Sequence, residues 1–256
     1  MSWTSFKKSV NRTGTKISQK IGAIEKTVDQ DFDLEEQRIK SLEAKCEKLH
    51  KETKGYLESM RTLSSAQLRI AETVNHFYED SSDNSLVGNK YKEVIDRLDH
   101  DCRTYLDEPY RRTVNEPIGR LCDYFPDINE AIKRRNNKLL DYDKQRAKAR
   151  KLIEKPPDDT TKLPRAEQAA NEAREMYESL NNQLCTELPK LIDLRVPYID
   201  PTFEALVKIQ LKFSQESYDS LNSLKNHFPS NSEGPVDNNV DAVLQQMRDL
   251  AICGMS

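Results

Sequence analysis

Glycine is scarce in this chain: 7 in 256 residues, and between Gly88 and Gly234 the only one is Gly119. A sheet folded through tight hairpins would have almost nothing to turn on, which argues against β architecture. Apolar residues are also few, at 36% against 32% charged. That is too little for a wide core, yet enough for narrow seams between helices. No stretch approaches the roughly 18 to 20 apolar residues of a membrane span, and no signal-peptide pattern opens the chain. With a net charge of -3, no global basic field advertises nucleic acid, and no recognition motif for it is found.

The chemistry of catalysis is missing as well. There is no GxxxxGK[ST], no GxGxxG and no GxSxG. His50, His76, His100 and His227 are far apart in sequence and show no ligand spacing. Cys46, Cys102, Cys122, Cys185 and Cys253 are odd in number and never in CxxC spacing, which suits a reducing cytosol and neither a disulfide framework nor a zinc site. The expectation is a cytoplasmic protein with no catalytic residue, metal or cofactor. Cys253-Gly254-Met255-Ser256 superficially meets a prenylation pattern, but glycine fits its first aliphatic position poorly.

What is present is helical periodicity. Alternating steps of four and three from Val28 visit Phe32, Glu35, Ile39, Leu42, Cys46, Leu49, Thr53, Tyr56, Met60, Leu63, Gln67, Ile70, Val74 and Phe77, and twelve of these fifteen positions are apolar. At ~1.5 Å per residue this helix is roughly 75 to 80 Å long. Asp80 to Ser85, with Gly88 behind it, reads as a loop. A second helix is expected from about Asn89 to Glu154, with its seam clearest from Val114 through Ile118, Leu121, Phe125, Ile132 and Leu139 to Tyr142, Ala149 and Ile153. A third is expected from Pro164 to about His227, after Lys155-Pro156-Pro157 ends the second. Short loops between long helices imply antiparallel neighbours, and so an elongated three-helix antiparallel coiled coil. So thin a rod rarely buries every seam alone, so dimerisation is expected.

Pro109, Pro117 and Pro126 fall inside the second helix, and Pro189, Pro197 and Pro201 inside the third. Each removes a backbone donor and is expected to kink its helix. Folding the two helices back around residue 160 sets Pro117 beside Pro201 and Pro126 beside Pro197, with Gly55 of the first helix at a similar level. The rod is then expected to bend as a unit. The competing reading is that the prolines mark helix ends.

Two surfaces stand out. Lys133 to Lys155 holds ten Lys/Arg against three Asp/Glu. On a helical wheel Lys133, Lys144, Lys148, Lys151 and Lys155 share about a third of the circumference, flanked by Arg134 and Lys138. Lys162 and Arg165 extend the stripe across the following loop. A charge run of this kind fits a solvated face or a contact with anionic lipid head groups. At the amino terminus Trp3, Phe6, Val10, Ile17, Ile21, Ile24 and Val28 form an apolar stripe, with Lys8, Arg12, Lys16, Lys20 and Lys26 off it and Lys7 beside it. A basic amphipathic segment with terminal aromatics suits a membrane interface. It also fits the first turns of the first helix, although Thr13-Gly14-Thr15 suggests a break. Three segments follow: residues 1–24 as a basic amphipathic segment, 25–228 as the helical rod, and 229–256 as a linker with a short amphipathic helix over 240–252.

Longer runs carry a family resemblance: Met1-Ser2-Trp3 with Phe6-Lys7-Lys8, Lys162-Leu163-Pro164-Arg165-Ala166-Glu167, and Asn181-Asn182-Gln183-Leu184 through Leu194-Arg195-Val196-Pro197-Tyr198 and Asp200-Pro201 to Lys208-Ile209-Gln210-Leu211. The chain resembles the BAR domains, of the amphiphysin-like fungal type that lacks an SH3 domain, along nearly its whole length. The resemblance implies a crescent-shaped six-helix homo- or heterodimer whose concave face binds curved anionic phospholipid membrane, and an amino-terminal helix that folds on, and inserts into, the bilayer. It implies that Lys133, Arg134, Arg135 and Lys138 contribute to that face, although the wheel sets Arg135 nearer the seam. Asn137 stands where amphiphysins often carry a basic residue, implying weaker affinity for anionic lipid. The implied role is in endocytosis, cortical actin organisation, cell polarity and cytokinesis, at cortical actin patches and among endocytic proteins. The alternative is an adaptor that heterodimerises with a longer SH3-containing BAR protein.

Overall fold

The computed structural model describes the backbone of residues 3–22, 24–79, 85–228 and 236–250, and the side chains of 8–22, 24–78, 86–228 and 240–250. Among these residues there is no strand. The helices are α1 (Trp3–Lys20), α2 (Gln30–Glu79), α3 (Ser85–Asp101), α4 (Glu108–Tyr110), α5 (Glu116–Cys122), α6 (Phe125–Glu154), α7 (Lys162–Asn222) and α8 (Val236–Arg248). Two π-helical segments, Cys102–Asp107 and Arg111–Asn115, flank α4.

The helix ends follow local chemistry. Gly22 takes φ +72° just beyond α1, a conformation that side chains with a Cβ resist. Asp29 starts α2 by accepting the Phe32 N–H at 3.1 Å, an N-cap on the third helical residue. Asp159 accepts the N–H and hydroxyl of Thr161 just ahead of α7.

The chain forms two compact units, residues 1–53 with 115–203, and residues 54–114 with 204–256. In the first, α2 and α6 run antiparallel, with Asn129 bonded to Glu43 and Arg135 to Asp29. There α7 runs antiparallel to α5 and α6, with Tyr198 donating to the Pro117 carbonyl at 2.9 Å and Arg135 to Asn181 at 2.7 Å. Phe32, Ile39, Cys46, Leu121, Phe125, Ile132, Leu184, Leu188 and Ile192 form its core. In the second unit Arg61 pairs with Asp107 and Ser64 with Asp99, while Ala71, Val94, Ile95, Leu98 and Leu224 form the core. Gly88 lies so close to Tyr78 that a Cβ there would meet its side chain at 3.0 Å.

The three-helix plan holds, and the structure corrects its details. Buried residues on α2 step by seven through Phe32, Ile39, Cys46 and Thr53, then move by four to Leu57 before Ser64 and Ala71. Such a four-residue stutter shifts the seam around the helix. It falls beside Gly55, and it leaves Leu63, Ile70 and Phe77, which the straight heptad counts as seam, exposed. The expected second helix begins at Ser85 and is not one regular helix. Its buried positions Leu98, Cys102, Leu106, Tyr110, Val114 and Ile118 are spaced by four throughout. On a regular α-helix each such step drifts by about 40°. The wider i→i+5 turns of the π segments absorb that drift.

Pro126 marks a helix start, following the turn at Asp123 and Tyr124. Pro109 follows the first π segment and Pro117 the second. Pro189, Pro197 and Pro201 lie within α7, which continues through all three. Gly14 does not break α1, which runs on to Lys20, so Ile21, Ile24 and Val28 fall outside the expected helical stripe. Ile153 is exposed rather than in the seam. The tail helix α8 starts at Val236 and ends at Arg248, displaced from the expected 240–252. Cys253 lies outside the described residues.

Candidate membrane-facing surface

The basic run on α6 is a real surface with one member removed from it. Lys133, Arg134, Lys148, Lys151, Lys155, Lys162 and Arg165 are exposed, and Lys144 is half-buried. Lys138 is half-buried, its Nζ 3.1 Å from the Met176 Sδ. Arg135 does not belong to the face: it is 2% exposed. Its Nη2 donates to Asp29 at 2.9 Å and to the Tyr177 hydroxyl at 3.0 Å, and its Nε to Asn181 at 2.7 Å. The guanidinium also lies over the Phe32 ring at 3.7 Å. A planar cation with five donors suits such a buried site, because all three of its nitrogens find acceptors, Nη1 reaching Asn136 at 3.0 Å, and the Phe32 ring covers one face.

The partners of Arg135 feel the same burial. For Asp29, burial would raise the pKa, but the Phe32 N–H, Asn181, the Arg135 charge and Tyr177 together outweigh it, so the carboxyl titrates below its ordinary value. Burial pushes the Tyr177 hydroxyl up to about 12. Burial likewise pushes the Cys46 thiol in the core to about 11, as fits a cysteine acting as a small hydrophobe. Among the described residues no cluster of His, Cys, Asp or Glu is arranged to hold a metal ion.

The helix α1 lies on this surface. Arg12 donates from Nε and Nη2 to the two carboxylate oxygens of Asp141 on α6, at 3.1 and 2.7 Å. Gln19 donates to Asp143 at 2.8 Å. Lys8 and Asn11 border a cleft with Lys138, Lys144 and Met176, on the α7 side of α6. Lys16, Gln19 and Lys20 border another with Asp33, Glu36 and Leu140, on the α2 side. The helix therefore crosses α6 from the α7 side to the α2 side.

It does so polar face down. At about 100° per residue, Arg12, Thr15 and Gln19 share one side of α1 and Val10 and Ile17 the opposite side. Thr15 is 4% exposed, whereas Val10 and Ile17 are 55% and 56% exposed. The described part of the amino-terminal apolar stripe thus points away from α6. The side chains of Trp3, Phe6 and Lys7 lie outside the described residues. Arg12 is engaged in the protein itself, and Lys16 is exposed. Asp141 and Asp143 escaped the sequence reading, because two acids in a run of bases look like noise until their partners, more than 120 residues away, are in place.

A second surface is apolar. In the second unit Leu63, Ile70, Phe77, Leu211, Tyr218 and Leu221 are exposed by 40–82%. No helix of the described residues is long and apolar enough to cross a membrane.

The comparisons with known proteins agree with this architecture. The family model of the BAR domain matches residues 6–228. The chain is 51% identical to Protein hob3 of Schizosaccharomyces pombe (strain 972), over 100% of this chain and 99% of that one. It is 43% identical to the Regulator of cytoskeleton and endocytosis RVS161 of Candida albicans, with the same coverage. Among solved structures, the amphiphysin BAR domain from Drosophila superposes with a TM-score of 0.66 at 23% identity, covering 88% of this chain and 97% of that one, which shows the fold. Together the all-helical coiled-coil architecture, the family match and the end-to-end likeness to fungal relatives establish that the chain belongs to the BAR domain family, whose members are structural scaffolds rather than enzymes.

Proposed function

We propose that the chain is a membrane-curvature scaffold that works as a dimer on anionic phospholipid membrane. The observation that carries the reading is α1 lying across the basic face of α6, its polar side down and Val10 and Ile17 outward. Lys133 and Arg134 lie on one side of the crossing helix, and Lys148, Lys151 and Lys155 on the other. Apolar residues that enter the interface between flanking cations combine the two forces that hold a peripheral protein on anionic lipid. In this reading Lys138, Lys144, Lys162 and Arg165 extend the basic face, and Trp3, Phe6, Lys7 and Lys8 complete the inserting segment. The prolines of the second and third helices give the rod its bend, and a bent rigid dimer gains most contact with a bilayer of matching curvature.

The exposed apolar residues of the second unit, Leu63, Ile70 and Phe77 at heptad spacing along α2, support dimerisation, since large apolar side chains left in water along one helix face suit an association surface. The printed name of the Candida relative supports a role in endocytosis and in regulating the cytoskeleton. Cell polarity and cytokinesis, with residence at cortical actin patches, extend that role. The same apolar face supports a second reading, in which the chain pairs with a longer SH3-containing BAR protein and contributes little membrane affinity itself.

Electron microscopy of vesicles containing phosphatidylserine, mixed with the purified chain, tests the proposal. Tubules of uniform width are expected. Unaltered vesicles, with a homodimer that exchanges subunits when an SH3-containing BAR protein is added, would favour the adaptor. Exchange is read by size-exclusion chromatography with light scattering.

A further inference from the structure

Asp143 stands in the middle of the basic run of α6 and is 0% exposed. A carboxylate taken out of water is tolerated only where hydrogen bonds and a counter-charge replace the solvent. Besides Gln19 of α1, the stretch that leads into α2 supplies those bonds. Thr27 donates twice, from its N–H at 3.2 Å and from Oγ1 at 2.6 Å. The counter-charge is Arg146, 3.5 Å away and one turn further along α6. Its guanidinium lies over the Tyr142 ring at 5.5 Å and donates to the Glu25 carbonyl at 3.0 Å.

Residues 25–29 belong to no helix, yet every second one is fastened to α6: Asp29 to Arg135, Thr27 to Asp143, and Glu25 to Arg146. The three attachment points run along α6 from Arg135 to Arg146, ~16 Å. Four residues of chain reach about 14 Å at most, so the segment follows α6 over nearly its own length. The Glu25 carboxylate adds little, since its pairs with Arg146 and Arg150, at 3.9 and 3.4 Å, face water. What holds the segment is Thr27 and the Glu25 carbonyl.

We propose that Asp143 and Arg146 are positioning residues that fix where the amino-terminal segment leaves the surface of α6. With both in place it departs at Glu25, which shares a cleft with Arg150 and Lys151. Without them it departs at Asp29, and residues 25–28 lengthen the leash by up to ~13 Å. The anchor makes no demand on residues 1–24, which are free to fold on the bilayer. A short leash keeps the inserted helix beside the cations of α6, so that wedge and basic face act on one patch of lipid. This purpose rests on the membrane reading, whereas the anchor itself does not.

Amide hydrogen exchange of the full chain without lipid tests the anchor, because the Thr27 N–H lies outside every helix and its protection reports the bond to Asp143. That amide should be protected in the wild type, and equally in R12A/Q19A, where bonds from α1 to α6 are removed. Because D143N could fail to fold, the partners of Asp143 are changed instead. T27V loses the Oγ1 bond at nearly constant shape, and should speed the exchange roughly tenfold or more, as fits a hydrogen bond to a charged group. R146K keeps the charge but not the fork that joins Asp143 to Glu25, and should act in the same direction. T27S should match the wild type. A Thr27 amide that exchanges freely in the wild type would overturn the proposal, as would protection that vanishes in R12A/Q19A.

A second arm uses vesicles of phosphatidylserine and phosphatidylcholine. T27V/R146K carries the net charge of the wild type, so sedimentation should find equal binding. Emission of Trp3, the only tryptophan, should shift to the blue as in the wild type, since the helix still inserts. Tubulation, read by electron microscopy, should be largely lost in T27V/R146K and kept in T27S. Equal tubulation by the wild type and T27V/R146K would refute positioning. A wild type that ignores the vesicles would overturn the membrane reading, while the exchange arm still decides the anchor.

Discussion

The guanidinium of Arg135 sits 3.7 Å from the centroid of the Phe32 ring, so a cation from the most basic stretch of the chain is part of the core. Phe32 is the first buried residue of α2, and Asp29 just before it both caps that helix and receives the Arg135 charge. Tyr177 and Asn181 bring α7 to the same point, each within hydrogen-bonding distance of Asp29. One buried cation thus ties three helices together where α2 begins.

Replacing Arg135 by alanine should destabilise the fold by about 3 kcal/mol, since it leaves the Asp29 carboxylate without its counter-charge and opens a cavity beside Phe32. Lysine should recover only part, because a point charge cannot serve Asp29, Asn181 and Tyr177 together. Urea denaturation followed by circular dichroism measures both. Vesicle binding by the folded fraction should be nearly unchanged, whereas a lipid-contacting Arg135 would lose binding without losing stability.

Asp29 gives the network a pH dependence of known sign. Its folded pKa lies below the ordinary value of 3.8, so its contribution is fully present above the unfolded pKa. That contribution is lost as the pH falls through the folded value. Stability between about pH 5 and pH 2.5 should therefore decline more gently in D29N than in the wild type. Denaturation midpoints across that range measure the difference, and parallel curves would contradict the assignment.

Arg135 also illustrates what the sequence can disclose. The three long helices and their antiparallel order follow from periodicity and loop length, which are local properties; the register does not, for folding around residue 160 sets Pro117 beside Pro201, whereas Tyr198, three residues earlier, bonds the Pro117 carbonyl. Arg135 was visible as a residue nearer the seam than the basic face, but its acceptors come from Asp29, Tyr177 and Asn181 on other helices, and no helical wheel contains them. The stutter at Thr53 and Leu57 was hidden for a different reason. Leu63, Ile70 and Phe77 continue the apolar heptad perfectly well, because α2 carries two apolar faces there and the pattern cannot say which one its own bundle buries. Asp141 and Asp143 were illegible because their meaning depends on α1 lying across α6.

The stutter predicts opposite outcomes for two nearby leucines. Leu57 is 4% exposed and Leu63 is 51% exposed. L57A should cost about 2–4 kcal/mol in chemical denaturation. L63A should cost well under ~1 kcal/mol of fold stability and instead weaken self-association. Equal losses of stability would restore the uninterrupted heptad.

If the exposed face of the second unit joins two chains, charge placed there should separate them without unfolding them. Ile70 and Phe77 are 54% and 82% exposed, so aspartate at either position disturbs little within the chain. In a dimer interface it would bury an unpaired charge. I70D and F77D should keep the helical signal of the wild type while light scattering falls toward the monomer mass. A mass that stays dimeric in both would move the interface elsewhere.

The two basic flanks of α1 should respond to salt together. Each exposed cation close to an anionic surface contributes ~1 kcal/mol at low ionic strength, and that contribution fades as the screening length shortens. K133E/R134E on one side of the crossing helix, and K148E/K151E on the other, should each weaken binding to phosphatidylserine vesicles by more than about thirtyfold at low salt. The gap to the wild type should narrow steadily toward ~0.5 M salt. Lys133, Arg134, Lys148 and Lys151 are exposed, so neither double variant should change the unfolding midpoint appreciably. Deleting residues 1–24 should act differently: it removes Val10 and Ile17 but leaves both flanks, so the vesicles should still be bound yet not drawn into tubules. Sedimentation with vesicles measures the binding and electron microscopy the tubules. A deletion that abolished binding while leaving the dimer intact would shift the weight of membrane contact from α6 to α1.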